Sequence, residues 1–198
     1  MSTEKPLIRF FDDGRIAIRR VRLSYAHLFE PSAFQAGDKK SYSVTGILPK
    51  DTHQSVYDAL SKRMVEMQKE AFKQKIPADK LCLRDGDLTG KEEYEGCWII
   101  VARDGEDNPP LLLDKDGKTE VTKKDDKLYS GAIGNLQIRL WAQNNQYGKR
   151  INANLLGVQF VEHGEKFSGV SRPTAADSGF DDEDDGSDED GFDDDIPF

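Results

Sequence analysis

The 198-residue chain has room for one sizeable domain, and its net charge of −9 is unevenly distributed. Residues 177–198 hold twelve Asp and Glu and no Lys or Arg, which leaves 25 acidic and 28 basic residues in 1–176. No apolar run approaches the roughly eighteen residues of a membrane helix, and no secretory signal is expected at the N-terminus. A mildly basic body with a separate acidic end is typical of proteins whose body contacts nucleic acid.

The first predicted strand covers residues 15–25. Ile16 and Ile18 lie on one face of it, but the apolar positions then shift by one residue to Val21 and Leu23. Because side chains alternate strictly along a strand, this shift predicts a β-bulge or a sharp bend.

A loop is predicted for 26–39, a second strand for 40–48, and a helix for roughly 53–75. Asp51 or Thr52 is expected to cap the helix, and Pro77 to end it. One apolar stripe at helical spacing is expected to pack in the core, and it consists of Val56, Leu60, Met64, Met67 and Ala71.

Further strands are predicted downstream, at 94–103, 111–113, 129–143 and 149–162, with a short segment at 81–87 leading to the first of them. Residues 144–148 predict a hairpin loop between the last two strands. Short strands with one inserted helix favour a compact barrel over a parallel α/β fold.

The two cysteines, Cys82 and Cys97, form no CxxC pair and have no histidine at a metal-ligand spacing. We therefore expect two reduced thiols. No cofactor and no metal site are expected.

The last predicted hairpin carries the clearest binding pattern. In 136–143, one face holds the apolar residues Leu136, Ile138, Leu140 and Ala142, and the opposite face holds Gln137, Arg139, Trp141 and Gln143. In the partner strand, Ile151, Ala153 and Leu155 continue the apolar face, whereas Arg150, Asn152 and Asn154 point the other way. Cations that neutralise phosphates, amides, and an aromatic ring that stacks on a base suit single-stranded nucleic acid.

The same chemistry selects candidates on the other predicted strands, and a plain solvated face remains the alternative for each single arginine. Trp98 shares a face with Ile100 and is expected in the core. The full set of candidate single-stranded DNA (ssDNA) contacts is Arg19, Arg20, Arg22, Tyr42, Tyr94, Arg103, Tyr129, Arg139, Trp141, Tyr147, Lys149, Arg150 and Asn152.

The chain end predicts a second function. From Ser168 the composition is small, polar and then acidic, so this part cannot bury enough apolar surface to order itself. We expect a DNA-binding domain at 1–170 and a disordered acidic tail at 171–198. A purely solubilising tail would not need the apolar residues at its end, so we expect a protein partner to bind the terminal peptide, Asp193, Asp194, Asp195, Ile196, Pro197 and Phe198.

That terminal hexapeptide matches the C-terminal peptide of enterobacterial single-stranded DNA-binding proteins residue for residue. The resemblance implies docking on replication, recombination and repair proteins, with the final Pro-Phe as the anchor.

The body resembles a family of bacteriophage single-stranded DNA-binding proteins over most of 8–167. The matching stretches are 94–98 (YEGCW), 129–131 (YSG) and 141–165. The resemblance implies an OB fold, ssDNA as the ligand, and a role in phage replication or recombination. We therefore expect a mainly β, OB-fold-like barrel with one inserted α-helix, followed by the disordered acidic tail.

The expected function is sequence-independent coating of ssDNA in the host bacterial cytoplasm, with host and phage proteins as partners and no membrane. A single-strand annealing recombination protein and an acidic-tailed module that binds only proteins remain alternatives. An enzyme is not expected, because the three histidines are scattered and no GxxxxGK or GxGxxG motif is present. The sequence leaves a homo-oligomer open.

Overall fold

The computed structural model describes residues 5–33 and 35–167. The strands are β1 (Ile8–Phe10), β2 (Arg15–Ser32), β3 (Ser41–Pro49), β4 (Leu83–Asp85), β5 (Cys97–Gly105), β6 (Leu111–Leu113), β7 (Ile133–Asn145) and β8 (Gly148–Glu162). The helix α1 spans Lys50–Phe72. The predicted mainly β chain with one inserted helix is therefore confirmed, while the predicted tail at 171–198 lies outside the described residues.

The strands form one strongly bent sheet with the order β4-β5-β3-β2-β7-β8-β6, and β1 pairs with β2. All pairs are antiparallel except β6 with β8. The sheet is not closed by a continuous ladder. Instead, the N–H of Cys82 donates to the carbonyl of Ile151 and the N–H of Val101 donates to the carbonyl of Cys82, both at 2.9 Å. This short segment brings β5 and β8 side by side.

The predicted bulge in the first strand is present. The register of β2 against β7 shifts between Ile18 and Val21, and Arg20 has a φ of 54°. The shift keeps the apolar residues on both sides of it in the core, namely Ile16, Ile18, Val21 and Leu23. The left-handed residue at the bulge therefore turns the strand so that the apolar side chains before and after it point into the same core.

The loop prediction for 26–39 is wrong for its first half, because β2 continues to Ser32. A second register shift, between Ser24 and His27, restarts the pairing with β3. Leu28 is buried there and His27 pairs with Ser43. A third register shift follows between His27 and Ser32, and three shifts in one long strand hide its alternation from a reading of the sequence.

The helix α1 packs its predicted stripe into the core, with one exception. Ala71 is exposed and Phe72 is buried in its place. The helix ends earlier than predicted, since Lys73 adopts a left-handed conformation with a φ of 57°.

The predicted cap at Asp51 or Thr52 is wrong. Pro49 occupies the N-cap position and no side chain caps the helix. His53 instead leaves the helical conformation, and its Nε2 lies 3.0 Å from the carbonyl oxygen of Arg19. The start of α1 is thereby tied to the first bulge of β2.

Two of the predicted strands begin later than expected. In 94–103 the strand starts at Cys97, because a 3₁₀ turn covers Glu92–Tyr94. In 129–143 it starts at Ile133, because Gly131, with a φ of 115°, turns the chain before it.

Burial holds Cys82 in its neutral form by raising the pKa of its thiol to about 12.

Candidate nucleic-acid interface

The β7–β8 hairpin presents its polar face as predicted. The two strands pair without a break from Ile138 to the two-residue turn at Gln146-Tyr147. Leu136 and Ile138 are buried, whereas Trp141 is 41% exposed. Trp141 pairs with Asn152 across the ladder, which confirms the shared face of aromatic and amide side chains.

Amide hydrogen bonds hold the end of this hairpin in shape. The Asn152 Nδ2 donates to Gln143 Oε1 at 3.0 Å, and the Gln143 Nε2 donates to Asn145 Oδ1 at 3.1 Å. The same Asn145 oxygen accepts the backbone N–H of Tyr147 at 3.0 Å. The Tyr147 ring itself remains 76% exposed at the tip. Both aromatic rings are therefore presented to solvent on a fixed support.

A groove runs between this hairpin face and the outer face of β5. Leu81 and Cys82, from the segment that joins β5 to β8, also line it. Six cations line it together with two aromatic rings and a set of amides, against three acidic residues. We call it the basic groove, defined by Lys39, Lys40, Lys80, Arg84, Arg103, Trp141, Gln143, Asn145, Tyr147, Arg150, Asn152 and Asn154.

Several cations of the basic groove are free to meet an anion. Neither Arg103 nor Arg150 has an ion-pair partner among the residues that the structure describes. The nearby carboxylate of Asp104 instead accepts the backbone N–H of Gly105 and the Nδ2 of Asn108. Phosphate oxygens could therefore bind these guanidinium groups as charge-assisted acceptors.

Five of the thirteen candidate residues come together in the basic groove: Arg103, Trp141, Tyr147, Arg150 and Asn152. Arg139 lies beside them on the same face of β7 and is exposed. These six stay the predicted DNA contacts.

The arginines of β2 lie elsewhere, which corrects their grouping with the hairpin. Arg20 pairs with Glu162 at 2.5 Å. Arg22 donates to the carbonyl oxygen of Glu165 and lies over the Phe167 ring. Arg19 follows the last core residue before the bulge, outside the groove lining. Partners far along the chain therefore already occupy Arg20 and Arg22.

Three tyrosines and one lysine from the candidate set also lie outside the basic groove. Tyr94 is 3% exposed, packed with Ile47 and Ile99. The remaining three face the protein: Tyr42 packs against the core, Tyr129 donates its hydroxyl to the carbonyl of Gly164, and Lys149 points toward the Phe72 ring of α1. Because Tyr94 is buried, its ring has no open face on which a base could stack.

Trp98 packs against the core as predicted, but it is only partly buried. Its ring stacks on Tyr57 of α1 with centroids 3.8 Å apart, and Lys50 lies over it at 4.3 Å. Its Nε1 donates to Gln54 Oε1.

Sequence reasoning missed Lys39, Lys40, Lys80 and Arg84. Two adjacent lysines, Lys39 and Lys40, directly before β3 were a local sign of a cationic surface that the sequence analysis could have used. Lys80 and Arg84 flank the Leu81–Leu83 segment, whose place between β5 and β8 only the tertiary structure shows.

Two negative observations concern the described part of the chain. No cluster of three or more His, Cys, Asp or Glu side chains there is arranged to hold a metal ion. No helix in residues 5–33 and 35–167 is long and apolar enough to cross a membrane.

Comparison with known proteins places the whole body of the chain in one group. The family model described as Enterobacter phage Enc34, ssDNA-binding protein, matches residues 14–192. A relative, the putative protein p50 of Acyrthosiphon pisum secondary endosymbiont phage 1, is 27% identical over 164 residues, which cover 78% of this chain and 87% of p50.

Solved structures agree with the family match. The ssDNA-binding protein of bacteriophage Enc34 in complex with ssDNA is 31% identical, with a TM-score of 0.76 over 84% of this chain and 97% of that chain. A C-terminal truncation of the same Enc34 protein is 32% identical, with a TM-score of 0.75 over 84% of this chain and 95% of that one. The gp2.5 protein of bacteriophage T7, an ssDNA-binding protein, shares the fold at 15% identity, with a TM-score of 0.53 over 79% of this chain and 90% of gp2.5.

The predicted OB-fold-like architecture is confirmed by these matches, with a sheet that stays open apart from the Leu81–Ile151 bridge. The chain belongs to the family of the Enterobacter phage Enc34 ssDNA-binding protein.

Proposed function

We propose that this phage protein binds ssDNA in the basic groove without base preference and coats it during replication and recombination in the cytoplasm of the host bacterium. The observation that carries the proposal is the exposed Trp141 beside Arg103 and Arg150, two arginines with no acidic partner in the described residues. The support from outside the chain is that the related Enc34 protein forms a complex with ssDNA.

The groove chemistry explains both strand choice and sequence tolerance. Arginine and lysine side chains bind phosphates, which every nucleotide carries, and the aromatic rings stack on base faces, which only an unpaired strand exposes. The amides of Gln143 and Asn152 hydrogen-bond to each other, which orders the surface before DNA arrives. The proposal assigns no catalytic step to the chain.

Trp141 gives the direct test. We expect Trp141→Ala to weaken binding of oligo-dT by about 1–3 kcal/mol, roughly 5- to 150-fold, because the variant cannot stack one of the bases. Quenching of tryptophan fluorescence on binding should also disappear. The measurement is a fluorescence titration at several salt concentrations, with a log–log slope near −0.7 per phosphate contact.

Trp98→Phe is the matched control for that titration, since Trp98 is held against Tyr57. The control should keep both affinity and quenching. Undiminished quenching in Trp141→Ala would remove Trp141 from the DNA path, and a salt-insensitive affinity would contradict the groove itself.

We propose further that residues 1–170 are the DNA-binding domain and that 171–198 are an acidic tail which recruits replication, recombination and repair proteins. The support is the terminal peptide Asp193–Phe198, which joins three aspartates to an apolar end. The tail should also compete weakly with DNA for the cations of the body, because it is a polyanion on the same chain.

Two truncations separate these two roles of the tail. Deleting 177–198 should tighten oligo-dT binding several-fold at low salt and abolish capture of partner proteins. Deleting only 193–198 should abolish capture while leaving most of the competition, because nine of the twelve acidic residues remain. Oligo-dT titration and pull-down from host extract measure the two effects, and a full truncation that changes neither would contradict the assignment.

A further inference from the structure

The basic groove continues past Arg103 onto the outer face of β2, β3 and β5. The continuation shares Lys39, Arg84 and Arg103 with the basic groove. It then adds residues from β2, β3 and the turn before β5, namely Tyr25, His27, Ser43, Thr89 and Lys91. One connected surface therefore reaches from the hairpin tip to β2.

At the far end of this surface a tyrosine is held in an uncommon backbone conformation. Tyr25 has a φ of 47°, a left-handed value that is rare for a bulky residue, and its side chain is 51% exposed. It sits in the second bulge of β2, between Ser24 and His27. Bulges re-aim side chains, and backbone strain of this kind is concentrated at functional sites.

The bulge explains why the Tyr25 ring lies on the surface. Ser24 is buried beside the Tyr94 hydroxyl, 3.4 Å away, and pairs with Thr45. His27, three residues later, is again exposed and pairs with Ser43. The irregular residues between them let Tyr25 leave the alternation and face the groove.

A lysine holds the ring in place. Lys91 Nζ donates a hydrogen bond to the Tyr25 hydroxyl at 2.8 Å and lies 4.2 Å from the ring centroid. The ammonium group has no acidic partner among the described residues. An aromatic ring that keeps half its surface exposed beside a cation that only tyrosines contact pairs a stacking face with a charge for a phosphate.

We infer that Tyr25 and Lys91 form a second nucleotide subsite, in which an unpaired base stacks on Tyr25 and a neighbouring phosphate binds Lys91. The inference rests on the proposed function and extends its path. The strand would run from Trp141 across Arg103 to Tyr25, about five strand spacings or roughly 24 Å along the surface. A span of several nucleotides is usual for one OB fold.

Substitutions at the two residues test the subsite. Tyr25→Ala should weaken binding of a long oligo-dT about 5- to 100-fold, and Tyr25→Phe should stay close to wild type because the ring remains. Lys91→Gln should flatten the log–log salt dependence by about 0.7. The matched control is Phe10→Ala, which removes another exposed aromatic ring, 45% exposed, outside the groove lining.

An abasic deoxyribose-phosphate oligomer separates stacking from charge. It carries phosphates and no bases, so Tyr25→Ala should bind it like wild type, while Lys91→Gln should still bind it more weakly. Tyr25→Trp should bind oligo-dT like wild type and, with Trp141→Phe in the same chain, show new quenching on binding.

The outcomes distinguish the subsite from the proposed function. If Trp141→Ala weakens oligo-dT binding but Tyr25→Ala and Lys91→Gln bind like wild type, the subsite is refuted and the function stands. If the wild-type protein does not bind oligo-dT at low salt, the function itself fails. Should Tyr25→Ala unfold, the Tyr25→Trp quenching decides, and its absence refutes the subsite.

Discussion

Replacing Arg103 and Arg150 together with glutamine is expected to weaken ssDNA binding by about 2–4 kcal/mol, roughly 30- to 700-fold in Kd. Both side chains line the basic groove, and neither has an ion-pair partner among the described residues. Removing one cation that binds a phosphate should also reduce the log–log salt slope by about 0.7, so the double variant should reduce it by about 1.4. Oligo-dT titrations over a range of salt concentrations measure both quantities.

The matched control is the double substitution Arg20→Gln and Arg63→Gln. It removes the same two charges, but Arg20 pairs with Glu162 and Arg63 lies 3.4 Å from Glu66. Its affinity should stay within a few-fold of wild type, because surface ion pairs contribute little and the groove is untouched. Equal decreases in affinity for the two double variants would show that net charge, rather than the groove, drives binding.

Gly131→Ala is expected to destabilise the fold by about 3–5 kcal/mol, which lowers Tm by roughly 6–20 °C. Gly131 has a φ of 115°, and an added methyl group would lie 2.1 Å from the carbonyl oxygen of Glu165. The obstacle is backbone, so no side-chain rotation relieves it. The 163–167 segment would have to move, and its Phe167 would lose its packing against Ile47, Tyr94 and Ile99.

Gly90→Ala is the control for that measurement. Gly90 also has a positive φ, 71°, but apart from its two chain neighbours no described residue lies within 4 Å of an added methyl group. It should therefore show only the backbone cost of about 1 kcal/mol. Thermal unfolding followed by circular dichroism compares the two variants. Equal Tm values would mean that the 163–167 segment does not pack on Gly131 in solution.

The tip of the last hairpin shows how far a local pattern can reach. The alternation from Leu136 to Gln143 correctly placed Trp141 outside and Ile138 inside, because a strand with one buried face must expose the other. The phase shift between Ile18 and Val21 correctly predicted the bulge for the same reason. The second bulge escaped notice, because Tyr25 and His27 carry no apolar pattern that a shift would interrupt.

The candidate DNA contacts were predicted less well where charges were involved. Alternation tells which face an arginine lies on, but it cannot tell which other side chain meets it there. Arg20 meets Glu162 and Arg22 meets the Glu165 carbonyl, both more than 140 residues away in sequence. Arg103 and Arg150, selected by the same rule, meet no acid in the described structure and stay free for a ligand.

The sequence by itself determined the mainly β fold, the core and solvent faces of its last hairpin, and the division into a basic body and an acidic end. These properties depend only on the periodicity and composition of residues that are neighbours in the sequence. Only the tertiary structure decided that β5 and β8 are bridged by Cys82. It also decided that Lys80 and Arg84 line one groove with Trp141, and that the Tyr25 ring lies on the continuation of this groove. Such contacts join residues far apart along the chain, so they arise when the sheet bends around its core and not from any single strand.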